Sequence, residues 1–100
     1  MAVNPRADLR LLILRILRDQ AGYVVNQEVL LARLRDLGHA LNRDTLHIEL
    51  AWLDQVADVI VDQVSGGVHI ATLTGDGLDV VEGLREIPGI RRPRPDELQG

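Results

Sequence analysis

The stretch VDQVSGGVHIATLTGDGLDVV, residues 61–81, decides how this chain is read. Two short β-branched runs flank Ser65-Gly66-Gly67, a turn signal because glycine supplies the positive φ that tight hairpins require. Straight after the second run, Thr74 is placed to cap a helix. Asp76 falls in that helix's first turn, where a negative charge suits the dipole. A two-stranded ribbon alone is marginal in water, so this one must lean on other elements.

Upstream of it the pattern is helical. NPRADLRLLILRILRDQAG, residues 4–22, opens with Asn4 as cap and Pro5 at the first helical position, and it closes at Gly22. Leu9, Leu12, Ile13, Ile16 and Leu17 form one inward stripe, while Leu11 and Leu14 lie on a second face. NQEVLLARLRDLGHA predicts a second helix from Asn26, with Val29, Leu30, Leu34 and Leu37 inward and Gly38 at the stop. One short turn later Asn42 caps a third, whose stripe is Leu46, Leu50, Leu53 and Ala57. The last helix is expected to bury Leu78, Val81 and Leu84 and to end at Pro88-Gly89. IRRPRPDELQG carries three arginines and no apolar period, so it reads as an extended or disordered arm. The domain is therefore expected over 1–89 and the arm over 90–100.

At 100 residues, 46% hydrophobic and 26% charged, the chain has room for one modest core. No apolar run reaches the ~18 residues that span a bilayer, and the features of a signal peptide are missing. A soluble protein without export or membrane partner is expected. There is no cysteine, which excludes disulfides, zinc–thiolate sites and a thiol nucleophile. His39, His47 and His69 lack ligand spacing, and the Asp54, Asp58, Asp62 series is broken by the expected start of a strand. Ser65 has no identifiable base, and TGDG lacks the lysine of a phosphate loop. Neither an enzyme, a metal site nor a cofactor is expected.

The order of elements, three helices, a hairpin and a helix, is that of a winged helix-turn-helix, in which the hairpin packs beside the third helix. ELAWLDQVADVIV followed by GGVHIATLTGDGLDVV resembles the recognition helix, wing and next helix start of ArsR- and MarR-like bacterial regulators. The run from Leu11 to about Pro95 also resembles small winged-helix proteins of Mu-like phages and prophages. In those, ELAWL, GGV..ATLT..GLDV..G and PG..RP.P recur, matched here by Glu49–Leu53, Gly66–Gly83 and Pro88–Pro95. The resemblance implies an α+β winged-helix protein working in the bacterial host cytoplasm. Its leading functional implication is a dimeric DNA-binding regulator or DNA-associated factor. The alternative is an adaptor that binds a phage or host protein and has no DNA affinity.

Charge divides the two readings. All eleven basic residues are arginine, and the net charge is −4, so duplex DNA can be held only by a local patch. The outward arc of the third helix holds Arg43, Asp44, His47, Ala51, Asp54 and Gln55. Arg43, Thr45 and His47 are the candidate groove contacts. The wing has no arginine or lysine between Asp58 and Leu73, which leaves Arg91, Arg92 and Arg94 of the arm as candidate backbone contacts. Glu49 falls inside the apolar arc, where an unpaired carboxylate is costly, and it predicts an arginine partner among Arg10, Arg15 and Arg33. Leu11, Leu14, Val80 and Ile87 lie off the main stripes and predict a homodimer interface, as first and last helices do in related regulators. The competing reading is that Ile90 and the arm fold back over that surface within one subunit.

Overall fold

Four side-chain caps start four helices, and the computed structural model, which describes residues 4–98, shows each of them. Asn4 Oδ1 accepts from the backbone NH groups of Arg6 and Ala7 at the head of α1, Pro5–Arg18. Asn26 accepts from Glu28 and Val29 at α2, Gln27–Asp36, and Asn42 from Thr45 at α3, Arg43–Gln55. Thr74 accepts from Gly77 at α4, Gly75–Val81, while its hydroxyl donates to the Ala57 carbonyl. Each cap satisfies backbone donors that a helix start otherwise leaves open.

The hairpin forms where the glycine turn places it, as β2, Val59–Gln63, and β3, His69–Leu73, around the turn Ser65–Gly67. It is not alone. A further strand, β1, Val24–Asn26, precedes α2 and pairs antiparallel with β3, Val25 opposite Ala71. The sheet order is β1-β3-β2, so β3 is central and has a neighbour on both sides. The two-stranded wing of the sequence reading is thus a three-stranded antiparallel sheet. Four helices and this sheet make a mixed α+β fold compatible with a winged helix-turn-helix. Among the described residues, no helix is long and apolar enough to cross a membrane.

The core runs between α1, α2, α3 and the sheet, around Leu17, Leu30, Leu34, Leu46, Leu50 and Leu53, all fully buried. Two sequence expectations fail on α2. Val29 and Leu37 are more than half exposed, because the buried stripe is Leu30, Leu31 and Leu34. On α3, Ala57 lies beyond the helix and is exposed. It holds φ +67°, and the Asp58 NH bonds back to the Leu53 carbonyl in the 6→1 pattern that closes a helix. Only glycine takes that backbone conformation without a Cβ penalty. Ala57→Gly should therefore stabilise the protein by about 1 kcal/mol, read by urea or thermal denaturation, and an unchanged midpoint would contradict it.

The last helix also ends early. Gly83 adopts φ +77°, and the Leu84 NH reaches the Asp79 carbonyl at 2.8 Å, so α4 stops two turns short of Pro88. Leu84, expected inside, is 74% exposed. Beyond the turn the chain folds back along α1. Ile90 is buried in the core, and the Arg91 NH donates to the Ala7 carbonyl at 3.2 Å. Residues 90–98 are accordingly docked on the domain rather than standing off it as an arm. The surplus apolar surface is used up in the same way. Leu11 and Leu14 are fully buried, Val80 is 2% exposed and Ile87 packs partly buried against the same core. Leu11, Leu14 and Val80 belong to the interior of one chain, with Ile87 partly exposed at its edge, so the four do not form an open face for a second subunit.

Candidate functional site

Glu49 is the acid that sequence placed inside the apolar arc, and its side chain is 3% exposed. Arg10 answers it through Nε–Oε1 at 2.7 Å, and Arg6 reaches the other oxygen at 3.0 Å. Arg10 was among the expected partners; Arg6 was not, and Arg15 and Arg33 take no part. The Arg10 guanidinium lies 3.7 Å above the Trp52 ring and donates from Nη1 to the Gly89 carbonyl. Gly89 holds φ +98°, and a side chain there would meet Arg10 and Trp52 at about 3.0 Å. Glu49 and Trp52 of ELAWL and Gly89 of PG, 40 residues apart, thus share one buried arginine.

The candidate DNA contacts do not converge. Arg43 and His47 face the wing and line a hollow of about 350 Å³ with Gln27, Glu28, Gly66 and His69. The His47 and His69 rings meet at a tilt of 56° with centroids 4.6 Å apart. Thr45 instead lines the groove on the other flank of α3, beside α1. Arg43, the single basic residue of α3, is gripped by Glu28 in a fork, Nε–Oε1 2.7 Å and Nη2–Oε2 3.0 Å. Asp44 lines the same hollow.

The arginines of the last segment lie elsewhere, and Arg91 is fully engaged. Arg91 donates from both terminal nitrogens to Glu97, at 2.9 Å each, and pairs with Asp8 on α1. Glu97 takes a further bond from Arg15 and from the Arg94 backbone NH. The Arg91 hydrogen bonds hold the Glu97 carboxyl down to about 2, against the opposing pull of burial. The same bonds raise the Arg91 guanidinium above its ordinary value. Arg92 stands 4.0 Å from Glu86 and stays exposed, and the Arg94 side chain is exposed. Sequence periodicity could not find the Arg91–Glu97 clasp, because both residues lie in an aperiodic segment. The two acids, Asp96 and Glu97, directly after the three arginines are its only trace.

Asp58 is the second buried acid, fully enclosed where α3 gives way to β2, with neither carboxylate oxygen hydrogen-bonded among the described residues. Burial pushes its carboxyl up to about 6. Arg85 opposes that shift and Asp76 adds to it. Gly77 packs against this corner so closely that a Cβ would strike the Asp58 carbonyl oxygen and stand 2.7 Å from Leu73 Cδ1.

Sequence comparison gives this arrangement its relatives. Uncharacterized protein gp26 of Escherichia phage Mu is 38% identical over 88 residues, covering 88% of this chain and 90% of the phage protein. The chain belongs to the gp26 family. A Haemophilus influenzae protein, also described only as uncharacterized, is 31% identical over 67 residues, 67% of this chain and 65% of its own length. No protein-family model matches the chain. The phage relationship expected from ELAWL and PG..RP.P is thereby supported, and in this chain the Arg10-centred contact falls on those same segments.

Proposed function

We propose that this gp26-family protein is a winged-helix module that docks a protein partner and does not grip duplex DNA. The sequence reading put DNA first, and the geometry favours the opposite order. The supporting observation is the Arg43–Glu28 fork, which sets a carboxylate against the one basic residue of α3 at the position where a groove-reading helix needs free positive charge. Asp44 beside it and Asp54 further along α3 set two more carboxylates along the same helix. Duplex DNA carries a charge every ~1.7 Å, and an acidic face meets it with repulsion. The arginines of the last segment do not repair the deficit, since Arg91 is neutralised by Asp8 and Glu97.

Fluorescence anisotropy with a labelled random duplex of about 25 base pairs tests the reading at ~20 mM salt, where counterion release makes non-specific binding strong. No saturable binding up to about 10 μM protein is expected. Binding that weakens steeply with salt would overturn the reading. Exposed Arg92 and Arg94 favour the DNA alternative, and loss of such binding in Arg92→Ala/Arg94→Ala would assign it to them.

A further inference from the structure

On the described surface, apolar side chains and outward-facing positive charge meet in a groove. It lies between the start of α1, the α2–α3 loop and the outer flank of α3, as an open groove of about 410 Å³. Pro5, Leu9, Ala40, Leu41 and Ile48 form its walls, with Arg6 at the rim. Ile48 is 57% exposed on a helix whose other large aliphatic residues, Leu46, Leu50 and Leu53, are fully buried. A second hollow continues it past His39 to Arg35 and Gly38, and Leu37 at the end of α2 is 52% exposed.

The charge around this groove departs from that of the whole chain. Glu49 is the one carboxylate among its lining residues, and it is sealed beneath Arg6 and Arg10 with its side chain 3% exposed. Two arginines against one acid leave a surplus of positive charge. The Arg6 side chain presents it outward, being 62% exposed. Arg35 adds to it at the far end, its Nε held by the Leu41 carbonyl while it forms no salt bridge among the described residues. In a molecule of net charge −4 this is a cationic rim around an apolar floor. Its complement is an acidic amphipathic segment, with aliphatic anchors at helical spacing and carboxylates beside them. A groove this open suits side chains delivered by a backbone rather than a small molecule, which needs most of its surface enclosed.

We propose that the α1–α3 groove is the docking site of the module and that it receives an acidic amphipathic helix of a partner protein. The proposal rests on the protein-docking reading above and gives it a location and a ligand chemistry. Aliphatic side chains of the helix fill the space between Leu9, Leu41 and Ile48, and its carboxylates meet Arg6 and Arg35.

The test uses a synthetic peptide of about 18 residues, long enough to be helical, with leucine at i, i+3, i+4, i+7 and glutamate elsewhere. A second peptide carries lysine for glutamate. Titrated into the ¹⁵N-labelled protein, the glutamate peptide should give saturable shifts at Arg35, His39, Leu41 and Ile48 with a dissociation constant of ~10–100 μM. The lysine peptide should leave those amides unmoved. Ile48→Glu and Arg35→Glu, both at exposed positions, should keep the wild-type melting temperature and weaken binding by at least about tenfold. The proposal is overturned if neither peptide moves the groove amides, if both do so equally, or if octanoate saturates the groove as tightly as the glutamate peptide. Saturable shifts confined to the His47–His69 side would remove the groove and leave protein docking standing. Duplex binding in the anisotropy experiment would remove protein docking itself.

Discussion

Arg10→Met is expected to destabilise the protein by about 3–5 kcal/mol, the cost of stranding a buried charge. Methionine fills most of the arginine's volume and keeps a contact with the Trp52 ring, so the loss isolates charge from packing. Glu49 would keep only Arg6, whose own side chain is 62% exposed and whose grip is diluted by water. The Gly89 carbonyl would lose its donor at the same time. The double variant Arg10→Met/Glu49→Leu removes both charges and should recover most of the loss, because a buried pair replaced by apolar residues of similar size is often neutral. Urea denaturation of the three proteins checks this. If the double variant is as unstable as Arg10→Met, the ion pair is not the origin of the cost.

Asp58→Asn should change stability in a pH-dependent direction. The Asp58 carboxyl is raised to about 6 from an ordinary 3.8, chiefly by burial. A raised carboxylate favours the protonated form in the folded state, so the wild-type fold carries no penalty below about pH 3.8. It loses stability as pH climbs through 6, and above that the penalty is complete. Asparagine cannot ionise and escapes this. Between pH 4 and pH 7 the stability difference should therefore move by about 2 kcal/mol in favour of the variant. A difference that stays constant over that range would show that Asp58 titrates in the folded protein as it does in the unfolded chain, with no raised carboxyl. The exposed acids titrate in both proteins and cancel from the comparison.

Much of this architecture is written in single residues. Asn4, Asn26, Asn42 and Thr74 announce their helices because a side-chain cap is a local interaction between residues two or three apart. Ser65-Gly66-Gly67 announces its hairpin for the same reason. The misses are non-local. Val24-Val25-Asn26 is too short to show alternation, and its strand exists because β3 offers a free edge. Leu84 looks buried only if α4 continues, and Gly83 ends the helix first. The docking of residues 90–98 depends on Glu97 meeting Arg15 across 82 positions, which no window along the chain contains. The candidate site divides along the same line. Glu49's need for an arginine was legible from its place on the helix, whereas the neutralisation of Arg43 by Glu28 and of Arg91 by Asp8 was not. The fit of a homodimer face to Leu11 and Leu14 failed because periodicity cannot show which of two apolar faces the chain itself will cover.

The Arg10 contact also orders events in time. Its partners lie 39 and 79 residues further along the chain, so a ribosome releases α1 long before the acid and the carbonyl that will hold its arginine. Glu49 supplies the countercharge first and the Gly89 carbonyl completes the contact later, so until then α1 carries an incompletely bonded arginine beside Leu11, Leu14 and Leu17. A nascent chain stalled before residue 89 should then stay more sensitive to protease along its first helix than one stalled well beyond it.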